Sequence, residues 1–208
     1  VSDASINLSY VGGICGYNHS TIENCYNTGE VSDASINLSY VGGICGYNHS
    51  TIENCYNTGE VSDASINLSY VGGICGYNNK TIENCYNTGE ASNSTSNPSY
   101  VGSACGYNRD TMTNCYFLTG TAKNDIASGD GTATKVEEKG ESAFSSGEVA
   151  WLLNEGQDPK PWAQGSNMLV LKDNLPENME VNNSKQPVRI TIVMPDGKSE
   201  EYGYTTKE

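Results

Sequence analysis

Polar and apolar positions recur along this chain with a period of 30 residues. Residues 1–30 and 31–60 are identical, residues 61–90 repeat them with His-Ser replaced by Asn79-Lys80, and residues 91–120 are a degenerate fourth copy. A fixed period of roughly 20–50 residues is the signature of stacked units that bury their faces against one another. Within a unit, strand-like residues fall in three short segments, about Tyr10–Tyr17, Thr21–Asn27 and Val31–Leu38, broken at Asn18 and at Asn27–Gly29. Gly12, Gly13, Gly16, Gly29 and several Asn break helices and form turns, which excludes helical repeats. Leucine-rich repeats are excluded because Leu8 is the only Leu of the unit. Propeller blades need about 40 residues or more. Short strands wound into coils remain, each coil stacking on the next at about 4.8 Å, so four coils span about 20 Å. Residues 1–120 are therefore expected to form four coils of a parallel β-solenoid, with Ile14, Ile44 and Ile74 stacked inside.

The run Tyr10-Val11-Gly12-Gly13-Ile14-Cys15-Gly16-Tyr17-Asn18, followed by Thr21-Ile22-Glu23-Asn24-Cys25-Tyr26-Asn27-Thr28-Gly29, resembles the GLUG repeat of bacterial surface proteins. The Gly-Leu-any-Gly core of that family is matched by Gly13-Ile14-Cys15-Gly16, Gly43-Ile44-Cys45-Gly46 and Gly73-Ile74-Cys75-Gly76. The fourth copy departs, with Ser103-Ala104-Cys105-Gly106. The resemblance covers residues 1–120 and implies an all-β, right-handed parallel β-helix at the bacterial cell surface, of the kind found in adhesin-like and immunoglobulin-A-protease-like proteins. The zinc peptidase of the latter group needs a His-Glu-x-x-His helix, whereas this chain holds only His19 and His49, each followed by Ser.

Composition fits a solenoid. The apolar fraction is 36% and Tyr supplies most of the aromatic residues, 14 against 2 Phe. So polar a chain offsets the entropy of ordering through hydrogen bonding between coils as well as through burial. The net charge of −14, with no Lys or Arg before Lys80, excludes nucleic-acid binding through phosphates. No run reaches the roughly 18 apolar residues that span a bilayer. There is neither an initiator Met nor a signal peptide, and Val1 opens in phase with the repeat, so the expectation is a piece of a longer exported protein. Leu175-Pro176-Glu177-Asn178 has the start of a cell-wall sorting signal without its Thr or apolar tail and is read as a turn.

Three sets of side chains are candidate chemistry. Cys15, Cys25, Cys45, Cys55, Cys75, Cys85, Cys105 and Cys115 alternate gaps of 10 and 20, a spacing that excludes zinc pairs two to four residues apart. They are structural ladders, bridged within a coil, bridged between coils, or free and packed as small hydrophobes. Tyr10, Tyr17 and Tyr26, with Tyr40, Tyr47 and Tyr56 in the next coil, are expected to stack into columns. They form either ordinary packing or an aromatic face for a glycan. Asp3, Glu23 and Glu30 recur through three coils, giving a solvated acidic face, with a bound Ca²⁺ as the alternative. The sequons at Asn7, Asn18, Asn37, Asn48, Asn67, Asn93 and Asn183 are read as incidental.

Past Gly120 the period stops. Residues 121–180 are read as a cap: a polar loop over 121–141 with room for an added irregular strand, a short helix opening on the capping-box pair Ser145 and Glu148, an apolar face of Val149, Trp151, Leu152 and Leu153, and further apolar mass at Trp162 and Met168-Leu169-Val170-Leu171. Residues 181–208 are a linker and a hairpin, with strands at Val188–Val193 and Glu201–Thr205 around the turn Pro195-Asp196-Gly197, read either as the start of a further domain or as a strand pair docked on the cap. No acid–base pair or metal cluster is assembled, so no catalytic residue, cofactor or metal ligand is expected. The expected function is a non-catalytic stalk or display scaffold; the alternative is an adhesin recognising a host glycan or protein through its Tyr and Asn faces.

Overall fold

A computed structural model describes residues 1–3, 8–36, 38–94, 99–165 and 169–172, together with the backbone of 188–193 and 199–204. The chain divides into two compact units, residues 1–139 and 140–208.

The first unit is a parallel β-solenoid with three sheets running along the stack. One is made from Ser2–Asp3, Val31–Asp33, Val61–Asp63 and Ala91–Asn93, the second from Ser9–Gly12, Cys15–Asn18 and their equivalents, and the third from Ile22–Glu23, Tyr26–Asn27 and theirs. Pairing is parallel and shifted by one period: Tyr10 faces Tyr40, Cys15 faces Cys45 and Ile22 faces Ile52. The pleat then decides what is inside. Ile44, Cys45, Ile52, Cys55 and their equivalents form one apolar cluster, and Val11, Val31, Val41, Val61, Val71 and Ala91 form another. Ile44 and Ile74 are fully buried, followed in the fourth coil by Ala104. Ile14 departs from expectation: it is 42% exposed.

The expected strands are shorter than the sequence suggests. The first breaks into Ser9–Gly12 and Cys15–Asn18, and the third sheet's strand breaks at Asn24, whose φ of 53° is left-handed. That kink recurs at Asn54, Asn84 and Asn114, and Asn is among the few side chains that tolerate it. In the fourth copy the same segments run unbroken as Ser99–Asn108 and Thr111–Leu118.

The stack also extends further than the expected boundary at residue 120. Asn124–Ser128 pairs in parallel with Ser99–Asn108, and Thr132–Lys139 pairs in parallel with Thr111–Leu118, so the segment expected as a polar loop with an irregular strand supplies two paired strands. The kink column continues as well: Lys135, opposite the position of Asn114, has φ 53°.

In the second unit two helices, α1 (Glu141–Ser146) and α2 (Glu148–Leu153), meet at Gly147, whose φ of 88° separates them. The expected capping box is therefore not formed: Ser145 lies inside α1, and the N-cap of α2 is Gly147. The buried residues of α2 are Val149, Ala150 and Leu153, while Trp151 and Leu152 are half-buried. Trp162–Gln164 pairs antiparallel with Leu169–Leu171, and Trp162 is buried. The Asn154 carboxamide clamps that strand, donating to the Trp162 carbonyl (2.9 Å) and accepting from its N–H (3.0 Å). Val188–Val193 and Ser199–Tyr204 form an antiparallel pair. Met168, Leu175–Asn178, the turn at 195–197, Thr205 and the sequons Asn7, Asn37 and Asn183 lie outside the described residues.

Candidate functional site

Because the register repeats every 30 residues, each side chain of the unit becomes a column. Tyr10, Tyr40, Tyr70 and Tyr100 stack at 5.1–5.3 Å between ring centroids, tilted by 7–9°. Tyr17, Tyr47, Tyr77 and Tyr107 stack at 4.8–4.9 Å. The two columns touch edge to face, as in Tyr10 with Tyr17 at 5.2 Å and 79°. All eight rings are half-buried. For Tyr40, Tyr70, Tyr47 and Tyr77, the faces that would stack on a sugar are occupied by the ring above and the ring below. Burial, then the neighbouring tyrosines, push the Tyr40 phenol up to about 12, so its hydroxyl stays protonated and able to donate a hydrogen bond. The third column is different. Tyr26 is 43% exposed, but Tyr56 and Tyr86 beneath it are buried, which removes Tyr56 from any ligand face.

The acidic positions separate into two environments. Glu30, Glu60 and Glu90 are exposed, as expected of a solvated face. Asp33 and Asp63 are not: both are buried, where an acidic surface stripe was expected. Asp33 accepts from the hydroxyls of Ser9 (3.2 Å), Ser35 (2.9 Å) and Ser39, and Asp63 from the Ser65 hydroxyl (2.6 Å), the Ser65 N–H (3.1 Å) and the Asn93 carboxamide (2.7 Å). Serines that look like solvent-facing residues in the sequence are the donors that make burial of these carboxylates tolerable. Among the described residues, no group of three or more His, Cys, Asp or Glu could hold a metal ion.

Glu23, Glu53 and Glu83 form the outward column that register demands. Burial first, and then Glu83 and Glu23, hold the Glu53 carboxyl above its ordinary value. A carboxylate raised in the folded state favours folding at low pH and loses that contribution as pH rises through its folded-state value. Glu53→Gln is accordingly expected to raise the melting temperature at neutral pH and low salt by about 1–3 °C, the scale of one relieved like-charge contact. The gain shrinks on acidification below pH 5 and in moderate salt, which screens exposed charge over about 10 Å. Thermal melts of both proteins across pH and salt check this, and a gain independent of both variables contradicts it.

Two ladders carry polar order through the interior, and neither was expected. Asn18, Asn48, Asn78 and Asn108 pass a carboxamide hydrogen bond from coil to coil at 2.8 Å per step. Asn27, Asn57 and Asn87 do the same at 2.8 Å. Each side chain also closes its local turn: the Asn57 Nδ2 donates to the Gly59 carbonyl (2.8 Å), and its Oδ1 accepts the Gly59 N–H (3.3 Å). One residue thus satisfies the turn and the stack together. With their amide nitrogens buried in a ladder, the sequons at Asn18 and Asn48 are inaccessible to glycosylation in the folded chain. A signal was present in the sequence: an Asn that recurs at a fixed place in every coil is a ladder candidate as well as a turn former.

The cysteines lie inside, in two rows. Cys45, Cys75 and Cys105 continue from Cys15, and Cys55, Cys85 and Cys115 continue from Cys25; all eight are free thiols, with only Cys15 and Cys25 less than fully buried. Burial pushes the Cys15 and Cys25 thiols up, so they act as packing groups more than as nucleophiles. Among the described residues, no helix is long and apolar enough to cross a membrane.

Comparison with known proteins agrees with this geometry. The family model of the GLUG motif matches residues 7–32, 37–62 and 67–94. No curated protein matches the chain significantly. Among solved structures, a protein from Bacteroides ovatus described as a "putative immunoglobulin A1 protease" superposes with a TM-score of 0.50 at 24% identity. The match covers 73% of this chain and 57% of that one, and it supports the fold alone.

Proposed function

Taking residues 7–94 as a GLUG repeat region, we propose that this chain is a non-catalytic structural scaffold, a stalk or display element of an exported bacterial surface protein. One observation carries the reading: the unit's distinctive side chains contact the same residue one coil away. Asn carboxamides bond to Asn carboxamides, Tyr rings cover Tyr rings and Cys thiols pack on Cys thiols. A unit built to satisfy copies of itself is suited to setting length and stiffness. The repeat region has no Lys or Arg before Lys80 to join its carboxylates in acid–base work.

A second reading rests on the double tyrosine column, whose phenol oxygens form two rows on one face. An adhesin could use those hydroxyls toward a glycan or a host protein. Screening the purified chain on glycan and extracellular-matrix protein arrays separates the two readings. The scaffold reading expects no saturable binding. The adhesin reading expects binding that is lost when Tyr40, Tyr47, Tyr70 and Tyr77 become Phe, which keeps the stacked rings and removes the hydroxyls.

A further inference from the structure

We propose that His19 and His49 form a two-histidine site for a borderline divalent transition metal, Zn²⁺ above all, bound across two neighbouring coils. Register brings the two residues together. The His49 N–H donates to the Asn18 carbonyl (2.9 Å), and the N–H groups of Asn79 and Arg109 donate to the equivalent carbonyls of Asn48 and Asn78 (both 2.8 Å). Positions 19, 49, 79 and 109 are therefore one column, with successive members about 4.8 Å apart along the stack. Two of its members are the two His of the chain. One full period separates them in sequence, so no closely spaced ligand motif announces the pair.

The two rings lie edge to face, with centroids 5.7 Å apart and planes at 84°. Two nitrogens bound to one tetrahedral Zn²⁺ at about 2.0–2.1 Å are about 3.4 Å apart. Ring centres 5.7 Å apart allow that separation, because each ligating nitrogen stands off its ring's centre toward the metal. Both side chains are exposed, so an ion and the waters that complete its shell have access. Each ring is also held by a different neighbour. Tyr17 packs on His19 with 4.5 Å between centroids. Asn79, which stands where His would recur in the next coil, has its Nδ2 2.7 Å from His49 Nδ1. A flip of that carboxamide puts Oδ1 in the same place, where it accepts the Nδ1–H. His49 Nε2 then keeps its lone pair for the metal, the arrangement in which an outer partner orients a ligating imidazole.

Ligand chemistry sets the class of ion. Imidazole nitrogen suits Zn²⁺, Cu²⁺ and Ni²⁺, whereas Ca²⁺ and Mg²⁺ take oxygen ligands. Beyond His49 the column continues with Asn79 and Arg109, neither of which adds an imidazole, so the pair takes one ion. The net charge of −14 raises the concentration of cations at the surface. An ion held there ties the coil of His19 to the coil of His49.

The folded, reduced protein is titrated with Zn²⁺ at neutral pH and followed by calorimetry and by the ring-proton NMR signals of its two histidines. One ion per chain is expected to bind, with both imidazole signals moving together to a common end point. His19→Ala and His49→Ala, at exposed positions, are expected to keep the fold by circular dichroism and to weaken binding at least about tenfold. Ca²⁺ at the same concentrations is expected to leave both signals in place. The interior thiols are the competing ligands, and an ion taken by them leaves the imidazole signals unmoved. That result overturns the proposal, as does wild-type affinity in either single variant or the absence of saturable binding.

Discussion

Gly43→Ala is expected to lower the stability of the solenoid by about 3 kcal/mol, at the upper end of overpacking penalties, which corresponds to roughly 6–12 °C in melting temperature for a chain of this size. A β-carbon on Gly43 would lie closer than 3.0 Å to the Gly73 carbonyl oxygen of the next coil and to the Asn57 side chain of its own. Neither neighbour can move freely. The carbonyl is part of the sheet backbone, and Asn57 is a rung of the interior ladder. The fourth copy supplies the control. It has Ser103 in place of the glycine and Phe117 in place of the asparagine, on strands that run without the break. Ser103→Ala is therefore expected to change stability by less than about 1 kcal/mol. Thermal melts of the two variants test the pair, and equal losses would contradict it.

Asn57→Ala is expected to be similarly damaging, by about 3–4 kcal/mol, because several buried groups lose partners at once. Asn57 is fully buried. Without it the Asn27 carboxamide loses an acceptor, the Asn87 oxygen loses a donor, and the N–H and carbonyl of Gly59 lose their turn bonds. Asn67→Ala, at an exposed position, is expected to change stability by less than about 1 kcal/mol. Chemical denaturation of the two variants measures the contrast. Comparable effects at both positions would mean that the interior ladder contributes little.

These two residues also mark the limit of what the sequence discloses. Period, strand direction and the two cysteine rows follow from identical 30-residue copies, because in-register stacking is the arrangement that sets every residue beside its own equivalent. Burial of polar residues does not follow in the same way. Asn18 and Asn27 read as turn formers, and they are, but the same carboxamides are interior rungs. Asp33 and Asp63 read as surface charge, because no propensity says that nearby Ser hydroxyls will point inward to meet them. The extension to Lys139 is hidden for another reason. Parallel pairing needs only a backbone in reach, so Asn124–Ser128 and Thr132–Lys139 join the stack after the motif itself has decayed. The tyrosine columns were foreseeable as stacks. That stacking covers their faces, and with them the sugar-binding surface first suggested by their number, follows from the same register.

The central claim is that the repeats stack in register around two thiol rows that are buried except at Cys15 and Cys25. Thiol accessibility tests it most directly. Fully reduced protein is alkylated first in the folded state and then in denaturant, and the labels are counted by intact mass. The account predicts that two thiols, those of Cys15 and Cys25, react in the folded protein and that the other six react only on unfolding, making eight. Native labelling of all eight, or of a broad mixture of numbers, would mean that the rows are not interior and that the coils do not stack as described.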